Sequence, residues 1–180
     1  MCLRLSLTLL LGGLIAGCTI SIPPFRPDLI SQRSYQGAAF RPIISMAPPA
    51  IHDQGQLECR IFWDLQVGGG QTFTDYLGDA LEQQLNANRY NAALPPKRLH
   101  ATLGQIDFTT KSGYAIWTIN ITYQAGGERF TVSTEVRDIG SFISYSACER
   151  VASLFADAVA EHIQDLIDHP VFERQYGLYR

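Results

Sequence analysis

The sequence predicts an α+β domain: an antiparallel-rich four-stranded sheet, in the order β-α-β-β-β-α, with two helices packed on one face. Three observations predict it. Residues 57–67 alternate apolar and polar side chains almost without a break. Two stretches, 72–88 and 146–168, carry apolar residues at helical spacing. Between them, alternating runs at 98–110, 114–124 and 128–137 are divided by glycine-containing turns, which is the pattern of a meander.

In the first run, Leu57, Cys59, Ile61, Trp63, Leu65 and Val67 point one way and Glu58, Arg60, Asp64 and Gln66 the other. That period of two is a strand with one buried face. Phe62 alone breaks the polar side. Gly68-Gly69-Gly70 then leads into the first helix, whose stripe is Phe73, Tyr76, Leu77, Ala80, Leu81, Gln84 and Leu85. Thr72 and Asp75 fit its start, where an acid favours the positive end of the helix dipole, and Asn88 fits its end.

Pro95-Pro96 breaks the chain before the next strand. There Leu99, Ala101 and Leu103 share a face, and the apolar phase then jumps to Ile106 and Phe108, so Gly104 marks a bulge. Lys111-Ser112-Gly113 is a turn. Trp117, Ile119, Ile121 and Tyr123 line one face of the third strand, and Ala125-Gly126-Gly127 is a tight hairpin. The fourth strand buries Phe130, Val132 and Val136. Ser146 and Glu149 fit a capping box for the last helix. Its stripe is Cys148, Val151, Ala152, Phe155, Ala158, Val159, His162, Ile163 and Leu166, and Pro170 stops it.

Ahead of this domain, residues 1–17 have the three parts of a secretory signal: Arg4 for charge, Leu5 to Ile15 as apolar centre, and small Ala16-Gly17 before a cut. The centre is too short to span a bilayer, which needs about 20 residues. Leu14-Ile15-Ala16-Gly17-Cys18 resembles the lipobox of bacterial lipoproteins, which implies cleavage before Cys18 and lipid on that cysteine. Several acyl chains on one residue hold firmly where a single chain holds only marginally. In such lipoproteins Asp after the cysteine marks inner-membrane retention. Thr19 stands there instead, so the resemblance implies the periplasmic face of the outer membrane.

Residues 18–56 read as the lipidated cysteine and a Pro-rich tether, and 57–180 as the periplasmic domain. Pro23, Pro24, Pro27, Pro42, Pro48 and Pro49 exclude a helix or a central strand. Phe25, Tyr35, Phe40 and Ile43-Ile44 are more apolar than a free linker needs. They leave open a contact with the domain, or an added edge strand.

Composition narrows the function classes. Removing residues 1–17 takes away one charged side chain, Arg4, so the formal net charge moves from −3 to −4. A mildly acidic domain is a poor binder of nucleic acid, whose partners present basic surfaces. Cys2 leaves with the signal and Cys18 carries lipid, so Cys59 and Cys148 remain as an even pair in an oxidising compartment. One lies on the buried face of a strand and the other on the apolar face of the last helix. They bridge if that helix crosses that strand.

This element order, behind a lipobox and a Pro-rich stretch, resembles the YajG-like bacterial lipoproteins. It is also similar to the auxiliary lipoproteins of ABC-type transport systems. The likeness rests on Phe73-x-x-Tyr76-Leu77-x-x-Ala80-Leu81, on the aromatic hairpin at 114–136, and on an Ala-rich closing helix ending near His169-Pro170-Val171-Phe172. Both groups imply a non-enzymatic periplasmic component, with no catalytic residues to carry over.

No metal or cofactor is expected, because neither Cys59 nor Cys148 has a His or Cys neighbour at ligand spacing. Gly68-Gly69-Gly70 lacks the Lys-Ser/Thr ending of a phosphate loop, and Asp75, Asp79 and Glu82 read as a solvated helix side. His52, His100, His162 and His169 belong to no catalytic motif. Phe62, Tyr114 and Ile116 interrupt the polar face of the sheet and are the candidate contact surface. The sequence thus points to a lipid-anchored, non-catalytic accessory or assembly component that binds another envelope protein. The alternatives are a lipid-binding auxiliary of an ABC-type transporter and a hydrolase whose histidine meets its nucleophile only on folding.

Overall fold

In the computed structural model, which describes residues 18–27, 40–46, 56–60, 63–87 and 97–176, the alternating runs are strands and the helically spaced runs are helices. The elements are β1 (Cys18–Ile22), β2 (Phe40–Met46), β3 (Gln56–Cys59), β4 (Trp63–Val67), α1 (Phe73–Asn86), β5 (Lys97–Thr109), β6 (Tyr114–Ala125), β7 (Glu128–Ile139), α2 (Ser144–Asp168) and α3 (Pro170–Tyr176). The fold is α+β and antiparallel-rich, as expected. A four-stranded sheet runs β2-β5-β6-β7, and a three-stranded one runs β1-β4-β3.

The membership of the larger sheet differs from the expectation. Its fourth strand is β2, which pairs parallel to β5 from within the stretch read as a tether. Pro42 sits in β2, opposite Leu99. Because β2 is an edge strand, the missing N–H of proline costs the ladder nothing on its open side. The start of the stretch is also absorbed: β1 pairs parallel to β4, Ile22 and Phe25 are buried, and Tyr76 Oη donates to the Pro23 carbonyl at 2.9 Å.

The run 57–67 is a second correction: it is a hairpin. β3 folds back on β4, with Leu57 opposite Leu65 and Cys59 opposite Trp63. The paired positions Cys59 and Trp63 are an even step apart in sequence, which keeps the alternation in phase, so the turn leaves no mark in the pattern. Nor does it carry a turn residue: Arg60 takes the left-handed backbone, φ 56°, that glycine usually supplies.

The helices follow their stripes. All seven α1 positions expected inside are buried, and Thr72 and Asp75 form a full capping box. Ala87 rather than Asn88 caps its end, and Asn88 lies outside the described residues. All nine α2 positions expected inside are buried as well. The start of α2 differs: Ile143 is the cap, and the Ser146–Glu149 box does not form because both residues lie inside the first turns. Pro170 ends α2 but also opens α3, since the first helical position needs no N–H.

α1 and α2 meet the larger sheet on one face. There the Trp117 ring lies 4.5 Å from that of Phe155, and Phe73 lies 5.5 Å from Phe155. Trp117 Nε1 donates to the Val151 carbonyl at 2.7 Å, which satisfies the polar atom of a fully buried ring. The opposite face is polar, with Thr122 bonded to Thr131 at 2.9 Å and Asn120 bonded to Gln105 and Ser133. The bulge stands at Gly104 as expected, between Leu103 and Gln105.

Candidate functional site

Strand directions gather several chain segments at one end of the molecule. β1 and β4 start there, β3 stops there, the β5–β6 turn lies there, and β7 ends there before the loop into α2. Cys18 is opposite Trp63 in the ladder, so their Cα atoms are separated by a strand spacing of about 5 Å. The Trp63 ring packs on Tyr145 with centroids 4.9 Å apart. Tyr114 is paired with Ile139, and the Phe142 ring lies over Gly113.

Among the described residues, the exposed large apolar side chains are Tyr114 (39%), Ile139 (75%), Phe142 (83%), Ile143 (69%) and Tyr145 (45%). All five belong to this end. Side chains of that size present a few hundred Å² together, the range in which a surface patch on a monomer marks a contact.

The loop that carries the patch is fixed from below by Arg60. Its Nη1 donates to the Phe142 carbonyl at 3.1 Å, and its Nη2 to the carbonyls of Thr110 at 3.0 Å and Ser141 at 3.3 Å. Its Nε donates to Thr110 Oγ1 at 3.2 Å. The neighbouring Cys59 is bonded to Cys148, across 89 residues of sequence and a Cα separation of 6.0 Å, so the expected disulfide is present. Gly140 completes the closure, its N–H donating to the Gly113 carbonyl at 2.7 Å.

A second constellation is buried under α2. Tyr123, fully buried, bonds His162 Nε2 at 3.0 Å, and Thr134 Oγ1 lies 3.0 Å from His162 Nδ1 and 2.6 Å from Asp165 Oδ2. Counting protons orders the chain. The single Thr134 hydrogen goes to the Asp165 carboxylate, so Thr134 accepts from His162 Nδ1–H, and Nε2 accepts from Tyr123. His162 therefore faces Thr134 as a donor, the wrong polarity for a base that activates that hydroxyl, and accepts from Tyr123, whose hydroxyl is fully buried. Burial holds His162 neutral, with its pKa lowered to about 4, and pushes the Tyr123 hydroxyl well above its ordinary value.

The other expected sites fall as follows. Cys18, half-buried, is the free cysteine among the described residues. Ile116 is half-buried, one pleat beyond Tyr114, whose ring carries the Arg137 guanidinium 3.7 Å from its centroid. Phe62 lies outside the described residues. Asp75 is spent on the α1 cap, which lowers its pKa, and Asp79 accepts from Gln71 at 2.8 Å. His169 Nδ1 accepts from the Val171 N–H at 3.3 Å and its ring stacks on Phe130. Sequence reasoning missed Ile139, Phe142, Ile143 and Tyr145; the signal was a connector as apolar as a strand, where polar residues are usual.

No family model matches the chain, and no curated protein matches it. Among the solved structures that resemble it are two with high coverage. One is an uncharacterized protein, 9% identical, with 83% of this chain and 95% of that one covered and a TM-score of 0.45. The other is a Xanthomonas campestris protein described under the family DUF330, 14% identical, with 88% and 96% covered and a TM-score of 0.45. Both likenesses are too loose to assign this chain to a family.

Proposed function

We propose that this protein is a lipoprotein of the bacterial envelope. Acyl chains on Cys18 hold it at the periplasmic face of the outer membrane, and its α+β domain serves another envelope protein without catalysis. The observation that carries this reading is the lipobox at the end of a short apolar run. The lipobox Leu14-Ile15-Ala16-Gly17-Cys18 closes the apolar run Leu5 to Ile15, and Cys18 pairs with Trp63 within the fold. The bridge between Cys59 and Cys148 supports it, because such bonds persist in oxidising compartments. The face of β5–β7 away from the helices is the surface left for a partner.

Two rivals fit less well. A hydrolase needs a base facing a nucleophile that substrate can reach; His162 donates to Thr134, and the hydroxyl it accepts from, that of Tyr123, is fully buried. A lipid carrier needs space between helices and sheet, where Phe73, Trp117 and Phe155 stand in ring contact.

The test is Cys18→Ser expressed in a Gram-negative host. The expected result is a longer, unacylated precursor that leaves the outer-membrane fraction. Normal processing and partitioning of that variant would overturn the proposal.

A further inference from the structure

The anchor and the apolar patch are neighbours, and their adjacency says more than either alone. A lipoprotein whose folded part follows a long spacer stands clear of the bilayer. In this chain the acylated residue itself lies in a strand, paired with Trp63. With no spacer between lipid and fold, the surface around Cys18 lies within side-chain reach of the lipid headgroups.

That surface is the apolar one. Trp63 lies beside Cys18, Tyr145 packs on Trp63, and the chain runs from Tyr145 directly into Ile143 and Phe142. Gly113 and the Tyr114–Ile139 pair continue the patch from there. The composition suits a bilayer interface: Phe and Ile protrude furthest, while Trp and Tyr, apolar in body and polar at one edge, sit lower. Lys111 and Arg137 flank the patch, where lipid phosphates would meet them. The Arg60 bonds to the carbonyls of Ser141 and Phe142 keep the loop projecting, so insertion requires no refolding.

We infer that the loop Ile139–Tyr145 inserts into the phospholipid surface that holds Cys18, and that lipid and loop together seat the domain end-on on the membrane in one orientation. This inference rests on the acylation of Cys18. It adds that the membrane contacts the protein itself as well as its lipid.

The experiment uses the full chain, purified from membranes in two variants that both carry Trp63→Phe: Phe142→Trp at the patch, and Gln124→Trp at the far end of β6. Phe142 and Gln124 are exposed, so the fold tolerates both new rings. Mass analysis of the amino-terminal peptide comes first and reads the acyl chains on Cys18. Each variant is then placed in phosphatidylethanolamine–phosphatidylglycerol vesicles with and without bromine on the upper acyl carbons. The expected result is that bromine lowers the emission of Phe142→Trp toward the constant background of buried Trp117 and leaves that of Gln124→Trp unchanged.

An acylated protein whose Phe142→Trp emission is unchanged overturns the docking and leaves the anchor standing; the patch then belongs to a protein partner or a second copy. Equal quenching of both variants overturns the single orientation. Absence of fatty acid on Cys18 overturns the anchor, and the docking falls with it.

Discussion

Arg60 holds a left-handed backbone, φ 56°, a conformation that costs a non-glycine residue about 1–3 kcal/mol and persists only when its surroundings fix it. The disulfide at Cys59 and the bonds to Thr110, Ser141 and Phe142 supply that fixing. Arg60→Ala keeps the strained backbone and removes the bonds. The expected loss is about 2 kcal/mol in urea unfolding, with faster amide exchange at Ser141–Ser144. Arg60→Gly relieves the backbone and should lose less stability while freeing the loop equally. His162 makes a different prediction, in pH. Its folded pKa, about 4, lies below the unfolded value of 6.5, so the native state refuses a proton that the unfolded chain takes. Stability is full above pH 6.5 and falls as pH drops toward 4, by about 3 kcal/mol in all. Tyr123, Thr134 and Asp165 face the ring, and Asp75, held low by Thr72, adds a loss only at more acid pH. His162→Gln, which can accept from Tyr123 and donate to Thr134, should flatten this window when urea midpoints are plotted against pH.

At the scale of elements, the helices were legible because a helix writes its buried face into sequence at a spacing that nothing else mimics. Phe73 through Leu85 and Cys148 through Leu166 are inside as their periodicity requires. Thr72→Ala should cost about 1 kcal/mol by removing the cap of α1, read as a lower urea midpoint. Leu81→Asp or Phe155→Asp places a charge in the core and should abolish the cooperative melt by circular dichroism. The glycine turns were legible too: Gly126 and Gly127, at φ 56° and 89°, form the two-residue hairpin expected of them. The β3–β4 turn was not, since the even step from Cys59 to its partner Trp63 preserves the alternation and Arg60 is no turn signal. Gly140 was equally silent. A Cβ there would lie 2.7 Å from the Tyr114 carbonyl carbon, so Gly140→Ala must push β7 from β6 and should destabilise by about 1–3 kcal/mol in urea.

The whole molecule is tied at the end that holds Cys18. The Cys59–Cys148 bond joins the small sheet to α2 across 89 residues, and its loss by Cys59→Ala with Cys148→Ala should cost about 2–4 kcal/mol, measured as a drop in melting temperature. Sequence by itself determined the α+β class, the helix faces, the meander with its bulge, and the two cysteines available to pair, because each is local or periodic and one chain segment carries the whole signal. Only the tertiary structure decided that Cys18–Ile22 and Phe40–Met46 are strands, that residues 57–67 turn back on themselves, and that Cys18, Trp63, Tyr145 and Phe142 share an end. The physical reason is that parallel pairing and end-to-end adjacency join segments far apart in sequence. No periodicity within either partner records which neighbour it will meet.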